Sequence, residues 1–301
     1  MRRSSIMNNL EEMAGVLERS GRYRVLRRLV VEENLAADDG SPTKLGVFID
    51  IESTGLDYKN CEIIEIALLP FNYTLDGRIF SLEPIVHYLN EPSTLLPTEI
   101  TAITGLTDDM LRGHKLDLGE IEACASRASL VIAHNAAFDR PFAERLSPIF
   151  ASKPWACTMS DVPWKEEGFE GRRLSDLLSA FSYFFDAHRA DDDCAAGVGL
   201  LTMVLPKSGC TVFERLLGTA RQSSTRIFAL NAPFDSKDIL KKRGYRWNVE
   251  ASFGPRAWWR EVADNNLQAE LNYLRSEIYL APVELPVVHI TALQRYSARI
   301  G

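Results

Sequence analysis

The chain lacks any run close to the roughly 20 uninterrupted apolar residues of a membrane span. Behind the charged start Met1-Arg2-Arg3 there is no apolar stretch of the kind a secretory signal needs, so neither export nor a membrane partner is expected. Cysteine is scarce. The five residues Cys61, Cys124, Cys157, Cys194 and Cys210 are odd in number, and no two lie at metal-ligand spacing. A disulfide framework and a zinc site are therefore not expected, and a reducing cytoplasm fits best. Internal repeats and low-complexity segments are absent. Positive charge is in deficit, with 34 Lys and Arg against 41 Asp and Glu, net −7. That balance argues against a protein that coats nucleic acid indiscriminately. The 301 residues are 46% hydrophobic and 25% charged, enough for one large domain or two smaller ones with a sizeable core.

The charge is unevenly placed. Between Arg221 and Arg260 nine basic residues face three acids, a local +6 that leaves −13 for the remainder. One surface should attract polyanions while another concentrates carboxylates, and a carboxylate-rich site needs metal to face a phosphate.

Apolar spacing predicts a helical segment over residues 7–31, broken at Ser20-Gly21, then an acidic linker to residue 43. Strands are expected over 45–51, 62–71, 78–86, 130–133 and 155–158, with Leu75-Asp76-Gly77 turning one hairpin. Residues 91–129 read as loops and short helices. Longer helices are expected from 138, over 174–182 and over 190–205. The order predicts an α/β fold, a mixed sheet flanked by helices. The domains read as 1–43 (helical segment and linker), 44–207, a small α+β module over 221–281, and a tail over 282–301.

Three acidic stations stand out. In Asp50-Ile51-Glu52 the period-2 alternation puts both carboxylates on one face of a strand end. His134-Asn135-Ala136-Ala137-Phe138-Asp139 places an acid at a strand-to-helix junction. His188-Arg189-Ala190-Asp191-Asp192-Asp193 puts a histidine five residues ahead of an acid at a helix start. Taken singly, each has a plain explanation: a solvated strand end for the first, helix capping for the others. Capping does not account for all three appearing in this order.

Together they resemble the motifs of the DnaQ-like 3′–5′ exonucleases, specifically the DEDDh group. Asp50-Ile51-Glu52-Ser53-Thr54-Gly55 matches the first motif with Ser53 in place of the usual Thr. Residues 103–111 resemble the family's substrate-flanking loop, with Thr104 where many members have His. The resemblance covers roughly residues 44–206 and implies a ribonuclease-H-like domain. It also implies a metal-dependent enzyme that hydrolyses phosphodiester bonds from a 3′ end and releases nucleoside 5′-monophosphates.

By that resemblance Asp50, Glu52, Asp139 and Asp193 hold two divalent ions, Mg²⁺ or Mn²⁺, with Asp50 bridging. Hard oxygen ligands suit these ions, and two of them about 3.5–4 Å apart stabilise both the attacking and the leaving oxygen. His188 is the expected general base, with an ordinary pKa near 6.5 suited to that task. Ser53, Thr54, Gly55 and Leu56 would touch the terminal nucleotide, and Leu106 would wedge beside it. Asn135 and Phe138 would line the pocket, with His134 a further contact. For Leu106 and Phe138, core packing is the equal alternative.

In the module, Lys241-Lys242-Arg243-Gly244-Tyr245-Arg246-Trp247 and Arg256-Ala257-Trp258-Trp259-Arg260 interleave cations with aromatics. Single strands are held this way, but a small domain also needs large aromatics for its own core. The expected partner is nucleic acid with a free 3′ end, DNA or RNA. No polymerase or clamp partner is indicated, although a proofreading subunit and a catalytically silent binding protein are the alternatives. The N-terminal segment is left to pack on the domain or to make homodimer contacts.

Overall fold

Helix α1 (Arg2–Arg19) opens the chain in the computed structural model, which describes residues 2–37, 39–249 and 254–299. Its apolar residues Leu10, Met13, Val16 and Leu17 stay exposed. The helix does not resume after Gly21, contrary to the apolar spacing. Instead β1 (Arg27–Arg28) pairs in parallel with residues 183–184. Arg27 N–H donates to Ser182 O at 2.9 Å and Leu29 N–H to Phe184 O at 2.8 Å. Tertiary hydrogen bonds and the packing of Leu29 on the core thus override a short helical pattern.

Strands β2 (Thr43–Ser53) and β3 (Ile63–Thr74) form a long antiparallel pair at the centre of a six-stranded sheet. Both β4 (Ile79–Leu82) and β5 (Val86–Leu89) pair with β3, where the sequence reads as a single strand over 78–86. Pro84, between them, has no N–H to continue a ladder. Short helices α2 (Thr98–Thr104), α3 (Asp108–Leu111) and α4 (Leu118–Arg127) lead to β6 (Leu130–Ala133), α5 (Ala136–Leu146) and β7 (Trp155–Cys157). Strands β6 and β7 extend the sheet in parallel beyond β2, giving the order β4-β3-β2-β6-β7. Then follow α6 (Trp164–Glu167), α7 (Leu174–Ala180), β8 (Tyr183–Phe184), α8 (Ala190–Thr202) and α9 (Val212–Ala220). This is the mixed, helix-flanked α/β sheet that the order of elements predicts.

Alternation along the strands sorts the core into two layers. Phe48, Leu69 and Ile132 pack with Leu177, Leu200 and Phe213 from α7, α8 and α9. Val47, Ile49, Leu68 and Val131 pack on the other side with Ile121 of α4 and Phe142 of α5. Each such buried side chain contributes about 1.5–3 kcal/mol. The same alternation puts Asp50 and Glu52 on the Phe48 face, towards α8. That helix lies flush on β2 because Gly197 sits over Phe48, where a Cβ would overlap the ring. Asp193, one turn earlier on the same helix face, is thereby held close to the strand.

The C-terminal module comprises β9 (Ser224–Ala229), α10 (Lys237–Lys242), β10 (Arg246–Trp247), β11 (Trp258–Ala263), α11 (Leu267–Tyr273) and β12 (Val287–Ile290). Its sheet is antiparallel in the order β10-β11-β9-β12. One face is apolar: Ile227, Ala229 and Val262 pack with Leu240, Tyr245 and Leu274, and Trp258 lies against them. Residues 282–301, read from sequence as a tail, do not behave as one over their described part. They supply β12, and residues 291–299 return to the first domain. There the fully buried Arg140 of α5 donates to Leu293 O at 2.6 Å and Arg295 O at 2.5 Å. Among the described residues no helix is long and apolar enough to cross a membrane.

Candidate active site

The end of β2, the first turn of α5 and the first turn of α8 meet at one edge of the central sheet. Carboxylate oxygens of Asp50, Glu52 and Asp193 lie within 4.8 Å of one another. Asp139, buried in the first turn of α5, turns Oδ1 back to accept the Ile51 N–H at 3.2 Å. The four acids that the sequence singled out are therefore brought together.

Like charges at such range resist ionisation. Burial, then the charges of Asp139, Asp193 and Glu52, push the Asp50 carboxyl well above its ordinary range. Asp139 is also pushed well up, chiefly by burial and against the hydrogen bonds it accepts. Burial with the Asp193 and Glu65 charges raises Glu52 to about 7, although Arg189 opposes the rise. Asp193 rises to about 6 through burial, against N–H donation from His188 and Arg189. An all-carboxylate donor set carrying this much unrelieved repulsion fits hard divalent cations, which take oxygen ligands and cancel the charge.

His188 precedes α8 in the left-handed region (φ 72°), a conformation that costs a non-glycine residue about 1–3 kcal/mol and recurs at functional sites. Its N–H donates to Asp193 Oδ2 at 2.7 Å, and its side chain is exposed at the rim of the acidic cluster. Asp193 thus fixes the turn that presents the histidine.

A buried carboxylate that the motifs did not reveal supports this turn from behind. Glu65 on β3 is fully buried and lies opposite Glu52 in the ladder. It accepts from Arg189 Nη2 at 2.9 Å, from Ala190 N–H at 3.2 Å, and pairs with His87 Nε2 at 2.7 Å. Burial alone would raise its carboxyl, but these partners outweigh that and hold it below the usual range. His87, in turn raised by Glu65, sits 3.8 Å from Asp191. A legible signal was present in the sequence: one acid in the middle of the apolar run Ile63-Ile64-Glu65-Ile66-Ala67.

The expected substrate contacts divide. Leu56 is 87% exposed, and Asn135 is exposed at the start of α5 with no cap bond from its side chain. Phe138 is half-buried, its ring 5.0 Å from that of Phe142. Thr54 Oγ1 accepts the Glu62 N–H at 2.9 Å, shaping the loop after β2. A Cβ on Gly55 would come 2.9 Å from Cys61 Sγ, so the loop is tight at that point.

Three expectations need correction. Leu106 is fully buried with Ile64 and Leu111 and is no wedge. Ser53 is buried and spends its hydroxyl on Gly55 O at 2.6 Å. Both ring nitrogens of His134 are occupied, Nδ1 by Thr158 Oγ1 and Nε2 by Arg172 O, each at 2.8 Å. Burial pushes that imidazole down to about 4. Each is spent on the protein's own structure: Ser53 on its loop, Leu106 on a small apolar cluster, and His134 on bonds to Thr158 and Arg172.

A mixed sheet with acids converging at one edge from β2, α5 and α8 is the architecture of the ribonuclease-H-like nucleases. The exonuclease family model RNase_T matches residues 47–201, half of the chain and the span that contains every acid of the cluster, and the chain belongs to that family, within the DnaQ-like DEDDh group. It is 28% identical over 183 residues to the PolC-type DNA polymerase III of Mycoplasmopsis pulmonis, covering 56% of this chain and 12% of that protein. To the DNA polymerase III subunit epsilon of Treponema pallidum it is 28% identical over 166 residues, 52% of this chain and 74% of that one. The solved structure of exonuclease I superposes with a TM-score of 0.50 at 16% identity, covering 83% of this chain and 63% of that chain. The fold is thus shared well beyond the span that the family model matches.

Proposed function

We propose that this protein is a metal-dependent 3′–5′ exonuclease that removes nucleoside 5′-monophosphates from the end of single-stranded DNA or RNA. The observation that carries the reading is the convergence of the Asp50, Glu52 and Asp193 oxygens within 4.8 Å, beside the buried Asp139. These four residues would hold two Mg²⁺ or Mn²⁺ ions, whose chemistry is to polarise the scissile phosphodiester and stabilise charge on the entering and leaving oxygens. His188, exposed at the rim, takes the proton of the attacking water at an imidazole nitrogen. The Asp193 and Glu65 hydrogen bonds to its turn orient it for that task. Leu56 takes the apolar role first given to Leu106, packing against the last base, while Asn135 and the Phe138 edge line the terminal sugar. The five cysteines are unpaired, which supports a cytoplasmic location.

The test is a 3′-labelled single strand incubated with Mg²⁺ or Mn²⁺. Label should leave as mononucleotide, and chelator should stop it. Asp139→Asn, which keeps an oxygen acceptor for the Ile51 N–H, should lower turnover by about a hundredfold or more in a folded protein. Internal cleavage, or turnover that persists in the variant, would overturn the reading.

A further inference from the structure

A cleft of about 640 Å³ runs between the first domain and the C-terminal module. Its lining includes Tyr58 and Ala137, which belong to the loop after β2 and to the first turn of α5, so it adjoins the elements that carry the acids. The opposite wall is the polar face of the module's sheet. Arg226 of β9 is paired across the ladder with Glu261, and Trp259 with Arg246 of β10. Alternation therefore sends Trp258 to the module core, the packing role that the sequence offered for these aromatics, and Trp259 to the cleft.

Three buried side-chain nitrogens have no hydrogen-bond partner among the described residues, and all belong to arginines of this cleft: Arg226 Nε and Nη1, and Arg295 Nε. Arg226 is only 7% exposed, lies 4.5 Å from the Trp259 ring centroid, and has just a 3.6 Å approach to Glu261 as an ion pair. A buried, permanently charged guanidinium with unused donors is a costly arrangement unless something anionic completes it. The acids of the cleft do not do so. Asp161 is taken by Arg295 and Tyr296, while Glu261 also accepts from Ser224. Arg260 is committed to Glu270, but Arg246 is exposed and makes no ion pair among the described residues.

We propose that this cleft receives a phosphodiester of the substrate strand upstream of its 3′ end, with Arg226 and Arg246 holding the phosphate oxygens. Trp259 moves off the Arg226 guanidinium to stack on the adjoining base. The inference rests on the nucleic-acid reading above and extends it, because it gives the module a defined contact. Net attraction here, against the repulsion of the acidic cluster, threads the strand with its end towards the acids.

The experiment measures binding of an oligothymidylate of about 12 nucleotides by fluorescence anisotropy in chelator, across a salt series. Arg226→Met and Arg246→Ala should each raise Kd about tenfold and lower the salt slope by about one. Hydrolysis of the p-nitrophenyl ester of thymidine 5′-monophosphate, which reaches only the acids, reports on the acidic cluster of the wild-type protein separately from the cleft. Unchanged Kd and slope in both variants would overturn the proposal. So would thymidine 5′-monophosphate competing as tightly as the oligonucleotide, which would mark a nucleotide pocket instead. Should Arg226→Met fail to fold, the exposed Arg246→Ala decides alone. If wild-type protein leaves the ester intact, the exonuclease reading fails while the binding arm still judges the cleft.

Discussion

Glu65 stands directly opposite Glu52 across the β2–β3 ladder, yet its carboxylate is turned to Arg189, His87 and the Ala190 N–H. Two acids side by side on neighbouring strands would repel each other. One is given wholly to internal partners and the other is left for the site. Removing the charge while keeping the shape, in Glu65→Gln, should cost about 1–3 kcal/mol, because Arg189 is partly solvated and loses only part of its pairing. It should lower kcat with little change in KM, since the turn before α8 loses its anchor. Thermal unfolding and steady-state kinetics check this together; a change in KM alone would show that Glu65 acts on substrate binding instead.

On the proposed function, metal bound at the acidic cluster relieves its repulsion and stabilises the fold. Saturating Mg²⁺ or Mn²⁺ should raise the unfolding temperature, by an amount equivalent to about 2.7 kcal/mol when the free ion is a hundred times its Kd. Asp50→Asn should unfold later than wild type in chelator, because a like charge is gone, and should respond weakly to metal. Differential scanning fluorimetry with and without chelator measures both. A variant that is less stable in chelator would show that the repulsion is relieved within the protein.

Leu56 and Leu106 lie in two loops that the family resemblance places beside the substrate, but their burial is opposite. Leu106→Ala should cost about 2–5 kcal/mol of stability, as a large-to-small change in a closed core does. Leu56→Ala should leave the unfolding temperature within a degree or two and weaken binding of a single strand. Denaturation midpoints and oligonucleotide affinity separate the two roles.

His134 gives a pH dependence of known sign. Its folded pKa of about 4 lies below the ordinary 6.5, so between these values the unfolded chain binds the proton and the folded one does not. The stability due to His134 is full above pH 6.5 and falls as pH drops towards 4. His134→Gln, which keeps one donor and one acceptor, should flatten that part of the stability profile. Urea titrations at several pH values test it.

Much of the acidic cluster was legible because carboxylates that converge from separate elements are restricted in residue type and position at once. Asp50, Glu52, Asp139 and Asp193 are few, acidic, and placed at strand ends or helix starts that alternation reveals. Leu106 was not legible: an apolar loop residue reads alike whether it faces solvent or Ile64. Glu65 was missed because it belongs to no motif, although a lone charge in a buried strand must have a partner. Residues 23–31 misled through helical spacing that a two-residue parallel bridge to β8 overrode. Residues 282–301 read as a tail because four residues of strand at an edge carry too little pattern to declare a sheet. The cleft was out of reach altogether, since it joins Tyr58 to Trp259, two hundred positions apart.

Arg140, immediately after Asp139, finds two of its acceptors more than 150 residues downstream, at Leu293 and Arg295. During synthesis the amino-terminal sheet emerges well before those carbonyls exist. Until they arrive, the Arg140 guanidinium has its ion pair with Glu144 on the same helix but lacks the two carbonyls that take up its terminal nitrogens. Fastening α5 to that segment is therefore a late step, and hydrolytic competence should ripen only once the ribosome has delivered the residues that hold Arg140.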